Sequence, residues 1–271
     1  MSESKLYTLT TSTRLNAVSY GTRKVSTPTL IFLHFWGGSS RTFTATISHL
    51  SPNLHAIAID FRGWGQSTGP HLTEAYSIVD LATDIESLIP KLDVQDFILV
   101  GHSMGGKVAQ LIAGRNLVNG LRGVVLIGPA PPTPFSLPPD MKAQQLVAYS
   151  SPESAGFVVK NVLSSLKLTD DTITMLVEDM LRGSAFATAA WPNYAMGEDV
   201  LAATRLIKVP VLVIAGELDR VEPVERLRTE VVGNIEHAKL VVVQGSGHLL
   251  PVEAPEKVAG YIESFVKNIS V

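Results

Sequence analysis

Six short strand-like runs, each built on a continuous apolar stretch, dominate this sequence, at positions 29–34, 55–60, 97–101, 124–128, 211–216 and 240–243. None of them alternates polar with apolar residues. A run of that kind predicts a strand covered on both faces, as in a parallel sheet between two layers of helices. Helical patterns lie between the runs. Residues 76–89 place Ile78, Leu81, Ala82, Ile85, Leu88 and Ile89 on one stripe, and Pro90 stops it. Residues 104–117 follow the third run. Residues 222–232 and 255–266 follow the last two, and Pro255 suits a first helical turn. Alternating strand and helix predicts a doubly wound, mostly parallel α/β fold. Residues 15–20 differ because they do alternate, and Gly21 ends them. They predict a half-exposed antiparallel strand in a hairpin with residues 6–9.

The rhythm breaks between residues 129 and 207. That stretch opens on Pro129, Pro131, Pro132 and Pro134, and Pro138-Pro139 follows. Short amphipathic segments come next, such as 155–166 and 171–181, with no strand-like run. The expected organisation is a core of residues 1–128 and 208–271 with an all-helical insertion at 129–207. An apolar share of 45% in 271 residues excludes a disordered chain. With no cysteine there is no thiol nucleophile, disulfide scaffold or cysteine metal site. Lys and Arg number 22 against 25 Asp and Glu, so no basic footprint for nucleic acid exists. No apolar run approaches the roughly 18 residues of a membrane span. The start, Met1 to Leu6, lacks the apolar core of a secretory signal, and a soluble cytoplasmic protein is expected. Asn268-Ile269-Ser270 is a glycosylation sequon by pattern alone.

The chemistry concentrates in Gly101-His102-Ser103-Met104-Gly105-Gly106, between a strand run and a helix pattern. This is the context a Gly-x-Ser-x-Gly nucleophile elbow demands. The turn is so sharp that side chains two residues either side of Ser103 would meet backbone. A serine hydroxyl needs a base, and the base needs an orienting carboxylate. His248 follows the last strand run, and Asp219 lies just past Gly216, with Glu217 and Glu222 as rivals. All three positions fall after strand C-termini, where parallel sheets gather their sites. An oxyanion hole needs two backbone donors. Met104 N–H is one. Trp36 N–H is the other choice, from His34-Phe35-Trp36-Gly37-Gly38, with Phe35 as the alternative.

These blocks resemble the α/β-hydrolase superfamily, in its branch of serine esterases and cofactor-free haloperoxidase-like enzymes. The matching blocks are Leu33 to Gly38, Asp60-Phe61-Arg62-Gly63-Trp64-Gly65-Gln66-Ser67, Gly101 to Gly106, Gly216-Glu217-Leu218-Asp219 and Gly247 to Glu256. The resemblance implies Asp219 as the third triad member and the insertion as a helical cap over the pocket. It also implies a carboxylic ester hydrolase without cofactor or metal, acting on a small apolar ester or lactone. Phe35 stands where the family usually carries glycine. Serine in place of the aspartate of haloalkane dehalogenases and epoxide hydrolases argues against those reactions. Perhydrolysis, C–C bond hydrolysis and hydroxynitrile lysis stay open, the last with Lys142, Lys160 or Lys167 to receive cyanide. A ligand receptor on the same scaffold is the reading from another class. Oligomeric state is not legible.

Other residues carry weaker expectations. Phe35, Phe157, Phe186, Trp191 and Leu249 are candidate substrate contacts. Within the insertion, Tyr149, Phe157, Phe186, Trp191 and Tyr194 could line that pocket, and for any single one of them packing the insertion onto the core is the favoured reading. Met180 and Leu181 are expected in the core of an insertion helix. His34 and His102 are expected to be structural, and His49, His55, His71 and His237 exposed or in loops. Asp60 and Arg62 are expected to hold their glycine-rich turn. Gly101, Gly106 and Lys107 have P-loop spacing, but Val108 occupies the place of the magnesium-binding hydroxyl.

Overall fold

The computed structural model describes residues 2–24 and 27–269. Ser270 of the sequon, and Met1, lie outside the described residues. The strands are β1 (Ser2–Thr8), β2 (Arg14–Tyr20), β3 (Thr29–Leu33), β4 (Ala56–Ile59), β5 (Phe97–His102), β6 (Leu121–Ile127), β7 (Val211–Gly216) and β8 (Ala238–Val243). They form one eight-stranded sheet in the order β1-β2-β4-β3-β5-β6-β7-β8. The hairpin β1–β2 is antiparallel, with Leu6 opposite Asn16, and β2 joins β4 antiparallel. Every later pairing is parallel. The fold is therefore the doubly wound α/β sheet that the apolar runs predict.

The unbroken runs have a simple physical basis. Successive strand residues point to opposite faces, and here both faces are covered. Leu30 and Phe32 enter one apolar cluster with Phe43, Val258 and Ile262. Ile31 and Leu33 enter the other, with Ile85, Val108 and Ile112. Each such side chain contributes about 1.5–3 kcal/mol on full burial. The last run departs from this expectation. β8 is the outer strand, and Leu240, Val241 and Val242 are only half-buried.

Helix Ile78–Leu88 starts on a capping box, in which Ser77 Oγ accepts from Asp80 N–H and Asp80 accepts from Ser77 N–H. Helix Met104–Arg115 ends where Asn116 takes a left-handed conformation. The segment 222–232 is not one regular helix. A short turn, Val224–Arg226, widens into a π turn, Leu227–Val231, that buries Leu227 and Val231. No helix among the described residues is long and apolar enough to cross a membrane.

Between β6 and β7 lie the helices Pro139–Leu146, Pro152–Val158, Asp170–Arg182, Ala185–Asn193 and Leu201–Thr204, with no strand among the described residues. Met180 is buried but Leu181 is 39% exposed, against the expectation that both are core. Adjacent helical residues point about 100° apart, so burying one turns the next outward.

The insertion is tied to the rest of the chain by polar contacts. Asp179 accepts from Ser39 Oγ at 2.7 Å and from Arg41 Nε at 2.9 Å. Tyr194 donates to Thr73 O at 2.8 Å and accepts from Tyr76 N–H at 3.1 Å, so it packs the insertion down. The buried Lys107 ammonium donates to Thr133 O at 3.2 Å and Met196 O at 3.0 Å. Burial draws its pKa down to about 8. Lys107 thus clamps both ends of the insertion to the helix behind Ser103.

Candidate active site

The sheet order creates a crevice. β4 lies on one side of β3 and β5 on the other, so the loops leaving β3 and β5 diverge at a topological switch point. The loop after β3 carries Phe35 and Trp36, and the turn after β5 carries Ser103. Asp219 follows β7 and His248 follows β8, at the same edge of the sheet.

Ser103 sits at φ +53° and ψ −115°, a region that costs a non-glycine residue about 1–3 kcal/mol. The neighbouring glycines explain how the turn closes. A Cβ on Gly101 would lie 2.4 Å from Gly105 O, and one on Gly105 would lie 2.2 Å from Leu33 O. Both obstacles are backbone and cannot rotate away. Replacing Gly105 by alanine is therefore expected to destabilise the fold by about 3 kcal/mol or to displace the elbow. Urea unfolding measures this; an unchanged midpoint would contradict the packing described.

His248 Nδ1 lies 2.8 Å from Asp219 Oδ2. Asp219 Oδ1 accepts from Val221 N–H at 2.8 Å and Glu222 N–H at 2.9 Å. The carboxylate has no remaining freedom to turn. It places the imidazole proton on Nδ1 and leaves Nε2 with its lone pair. Neither Nε2 nor Ser103 Oγ has a hydrogen-bond partner among the described residues, and the two are not bonded to each other. Burial alone would lower the His248 pKa. The charge and hydrogen bond of Asp219, with Glu222 and Glu253 behind it, outweigh burial and raise it above its ordinary value. The rivals of Asp219 are otherwise engaged. Glu222 pairs with Arg226 at 3.0 Å, and burial pushes its carboxyl up to about 8. Glu217 accepts from Gly245 N–H at 2.9 Å.

The loop after β3 is held by a histidine. His34 Nε2 accepts from Phe61 N–H at 3.0 Å, so the ring proton is on Nδ1, 2.7 Å from Phe35 O. Phe35 O also accepts from Gly38 N–H at 3.0 Å. In a trans peptide the C=O and the next N–H point in opposite directions. Fastening Phe35 O therefore fixes the direction of Trp36 N–H. Neither Trp36 N–H nor Met104 N–H has a partner among the described residues. Tyr149, from the insertion, packs against the Trp36 ring with centroids 4.2 Å apart and planes tilted by 31°, and donates to Trp36 O at 3.0 Å. His102 Nε2 donates to His248 O at 2.8 Å. Burial keeps His34 below its ordinary value and His102 well below it.

Several expectations need correction. Phe157 is 62% exposed and cannot wall an enclosed pocket. The Phe186 ring stacks with His71 at 5.6 Å and Tyr76 at 6.5 Å, so it packs the insertion against a core loop. Trp191 and Leu249 are buried in the same apolar cluster as Phe35, Trp36 and Met104. His55 lies in the loop before β4, one of the two places expected for it, and is buried there between Ser19 Oγ and Thr29 Oγ1. His49, His71 and His237 are exposed, as are Lys160 and Lys167. Asp60 and Arg62 each hold a loop, but not through one another. Arg62 grips Asp84 with two contacts of 2.5 Å, and Asp60 accepts from Ser40 N–H, Gln66 N–H and Asn16 Nδ2.

Sequence reasoning passed over Glu253, met only inside a motif block. Its carboxylate takes five hydrogen bonds around the His248 loop. Only its place five residues after His248, beside the helix-starting Pro255, set it apart in the sequence.

Comparison with known proteins agrees with this architecture. An AB hydrolase superfamily protein, YisY of Bacillus subtilis, is 28% identical over 87% of this chain and 90% of its own. Non-heme chloroperoxidase CPO-A1 of Kitasatospora aureofaciens is 26% identical over 81% of this chain and 84% of its own. The esterase of Exiguobacterium antarcticum shares the fold, with a TM-score of 0.83 at 22% identity over 94% of this chain and 96% of that one. The family model of the alpha/beta hydrolases matches residues 30–261, and the chain belongs to that family.

Proposed function

We propose that the protein is a serine hydrolase that cleaves small, apolar carboxylic esters or lactones through an acyl-enzyme on Ser103. The observation that carries this reading is the fixed tautomer of His248. Asp219 Oδ2 accepts a hydrogen bond from His248 Nδ1–H at 2.8 Å, and Nε2 is left to accept a proton from serine. Ser103 Oγ attacks the carbonyl carbon as its proton passes to His248 Nε2. Negative charge collects on the carbonyl oxygen, in a hole formed by Met104 N–H and Trp36 N–H. His248 returns the proton to the leaving alkoxide, and the acyl group stays on Ser103. Water, deprotonated by His248, then releases the acid and restores the serine. No metal or cofactor enters any step. The insertion acts as a cap, and Phe35, Trp191 and Leu249 line the apolar side of the pocket. Support comes from their shared cluster and from Tyr149 packing on Trp36. The near-neutral charge of the chain suits an uncharged substrate.

The test is a stopped-flow burst with p-nitrophenyl butyrate. A burst of one nitrophenolate per chain followed by sustained turnover supports the reading. A chain silent on a panel of short esters and lactones contradicts it. A single slow turnover with ligand-dependent capture of another protein would favour a receptor instead.

The raised His248 pKa makes a further prediction. The base works only when neutral, so kcat/KM should rise with pH through a midpoint above 6.5. A profile that stays flat from about pH 5 to pH 8 would contradict His248 as the base.

A further inference from the structure

His248 is gripped at its backbone as well as its ring. Its N–H donates to Leu163 O of the insertion at 2.9 Å, and its carbonyl accepts from His102 Nε2 at 2.8 Å. The preceding amide, Gly247 N–H, donates to Glu253 Oε2 at 2.7 Å, and Ser246 Oγ donates to the same oxygen at 3.1 Å. The other oxygen of Glu253 turns toward the insertion. It accepts from Ser164 Oγ at 2.7 Å, Ser165 N–H at 2.6 Å and Leu166 N–H at 3.1 Å. Ser165 Oγ in turn donates to Leu218 O, beside Asp219, at 3.0 Å. The fit is close. A Cβ on Gly247 would lie 2.7 Å from Ser165 Oγ and 2.8 Å from Ser165 N.

We infer that Glu253 is a positioning residue that joins the insertion to the His248 loop, so that the segment 163–166 forms part of the mount of the base. The inference rests on the triad reading. Its physical content is the shared acceptor. One carboxylate collects five donors from two separate chain segments, three from the insertion and two from the histidine loop. Neither segment can shift without breaking bonds to the other. Ser164 Oγ and Leu166 N–H have alternative acceptors in Leu166 O and Ser164 Oγ, but Ser165 N–H on one side and Gly247 N–H on the other point at Glu253, so a group with an acceptor oxygen on each side is needed. A glutamine would present its NH₂ to donors on one side. The insertion is thus fixed at its centre, next to the catalytic base.

Charge gives the inference a second consequence. The charged and titratable groups facing His248 are Asp219, Glu222, Glu253 and His102. Glu253 holds the imidazolium up, so removing its charge favours the neutral ring. The direction of the shift is therefore downward.

The experiment compares wild type, Glu253→Gln, Glu253→Asp and Ser103→Ala with p-nitrophenyl butyrate across pH, with circular dichroism as the check on folding. Folded Glu253→Gln is expected to lose about 10- to 100-fold in kcat with little change in KM, because a misplaced base acts on the chemical step. Its kcat/KM midpoint is expected to move to lower pH. Glu253→Asp keeps the charge and should restore the midpoint with part of kcat. Wild-type kcat and midpoint in folded Glu253→Gln would overturn the inference. So would a loss shared by KM that leaves the midpoint in place, the mark of general loosening. If Glu253→Gln does not fold, Ser164→Ala/Ser246→Ala decides. That variant removes one donor from each segment, and kcat should fall about threefold; an unchanged kcat overturns the inference. Ser103→Ala separates the two readings. If it keeps turnover, the triad itself has failed. If it is inert while Glu253→Gln matches wild type, only the role of Glu253 has.

Discussion

Ser103→Ala is expected to lower kcat on p-nitrophenyl butyrate by about 10⁵-fold or more, with KM and thermal midpoint close to wild type. The size follows from the roles around the serine. In the proposed mechanism Ser103 Oγ supplies the bond that divides one difficult displacement into two easier ones. On that reading His248 and Asp219 have no function without it, since the proton they would move belongs to that hydroxyl. The residual rate should not be zero. Met104 N–H and Trp36 N–H would still stabilise an oxyanion raised by water, and such a hole alone retains about 10³–10⁴ over the uncatalysed reaction. The elbow itself should survive, because the glycines and Leu33 O set its shape and the serine hydroxyl makes no structural hydrogen bond. Steady-state kinetics beside circular dichroism tests this. A variant within about tenfold of wild type would place the nucleophile elsewhere.

Asp219→Asn is expected to cost about 10⁴-fold in kcat while leaving the fold intact. The argument is one of tautomers. Val221 N–H and Glu222 N–H both donate to Oδ1, so the amide oxygen of asparagine must stay on that side. The amide NH₂ then faces His248 Nδ1 and can only donate to it. The ring proton moves to Nε2, the atom that must accept from serine. The base becomes a donor at the wrong place, with every heavy atom where it was. Removing the negative charge also withdraws the main group that raises His248, so the residual activity should have a lower pH midpoint. If Asp219→Asn kept more than about a tenth of wild-type kcat, a different carboxylate would orient His248, and Glu222 would be the nearest candidate by position.

How much of this was legible in the sequence depended on how local its cause was. The elbow was readable because steric exclusion at Gly101 and Gly105 acts over a few residues and leaves a spacing behind. The central strands were readable because burial on both faces removes polar residues from the pattern. β8 misled for the same reason in reverse. Val241 and Val242 are apolar yet half-buried, because the sheet ends there and no partner strand covers them. The orientation of His34 and Asp60 was half legible, since their motif blocks marked them as structural without giving their partners. The insertion was least legible. Its helices are short, and which face each turns inward depends on contacts far apart in the chain. That is why Leu181 and Phe157 point outward while Met180 is buried. It is also why Phe186 finds His71, and why Glu253 draws its donors from Ser164 to Leu166. Long-range polar pairings of that kind leave no periodic trace.

The central claim is that Ser103 is the nucleophile, and covalent trapping tests it most directly. Wild-type protein would be incubated with a fluorophosphonate, and the adduct located by intact mass followed by peptide mass spectrometry. The account predicts one phosphonyl group per chain, on the peptide that carries Ser103, and no labelling of Ser103→Ala. Labelling at another residue, or an unlabelled wild type that still turns over esters, would contradict it.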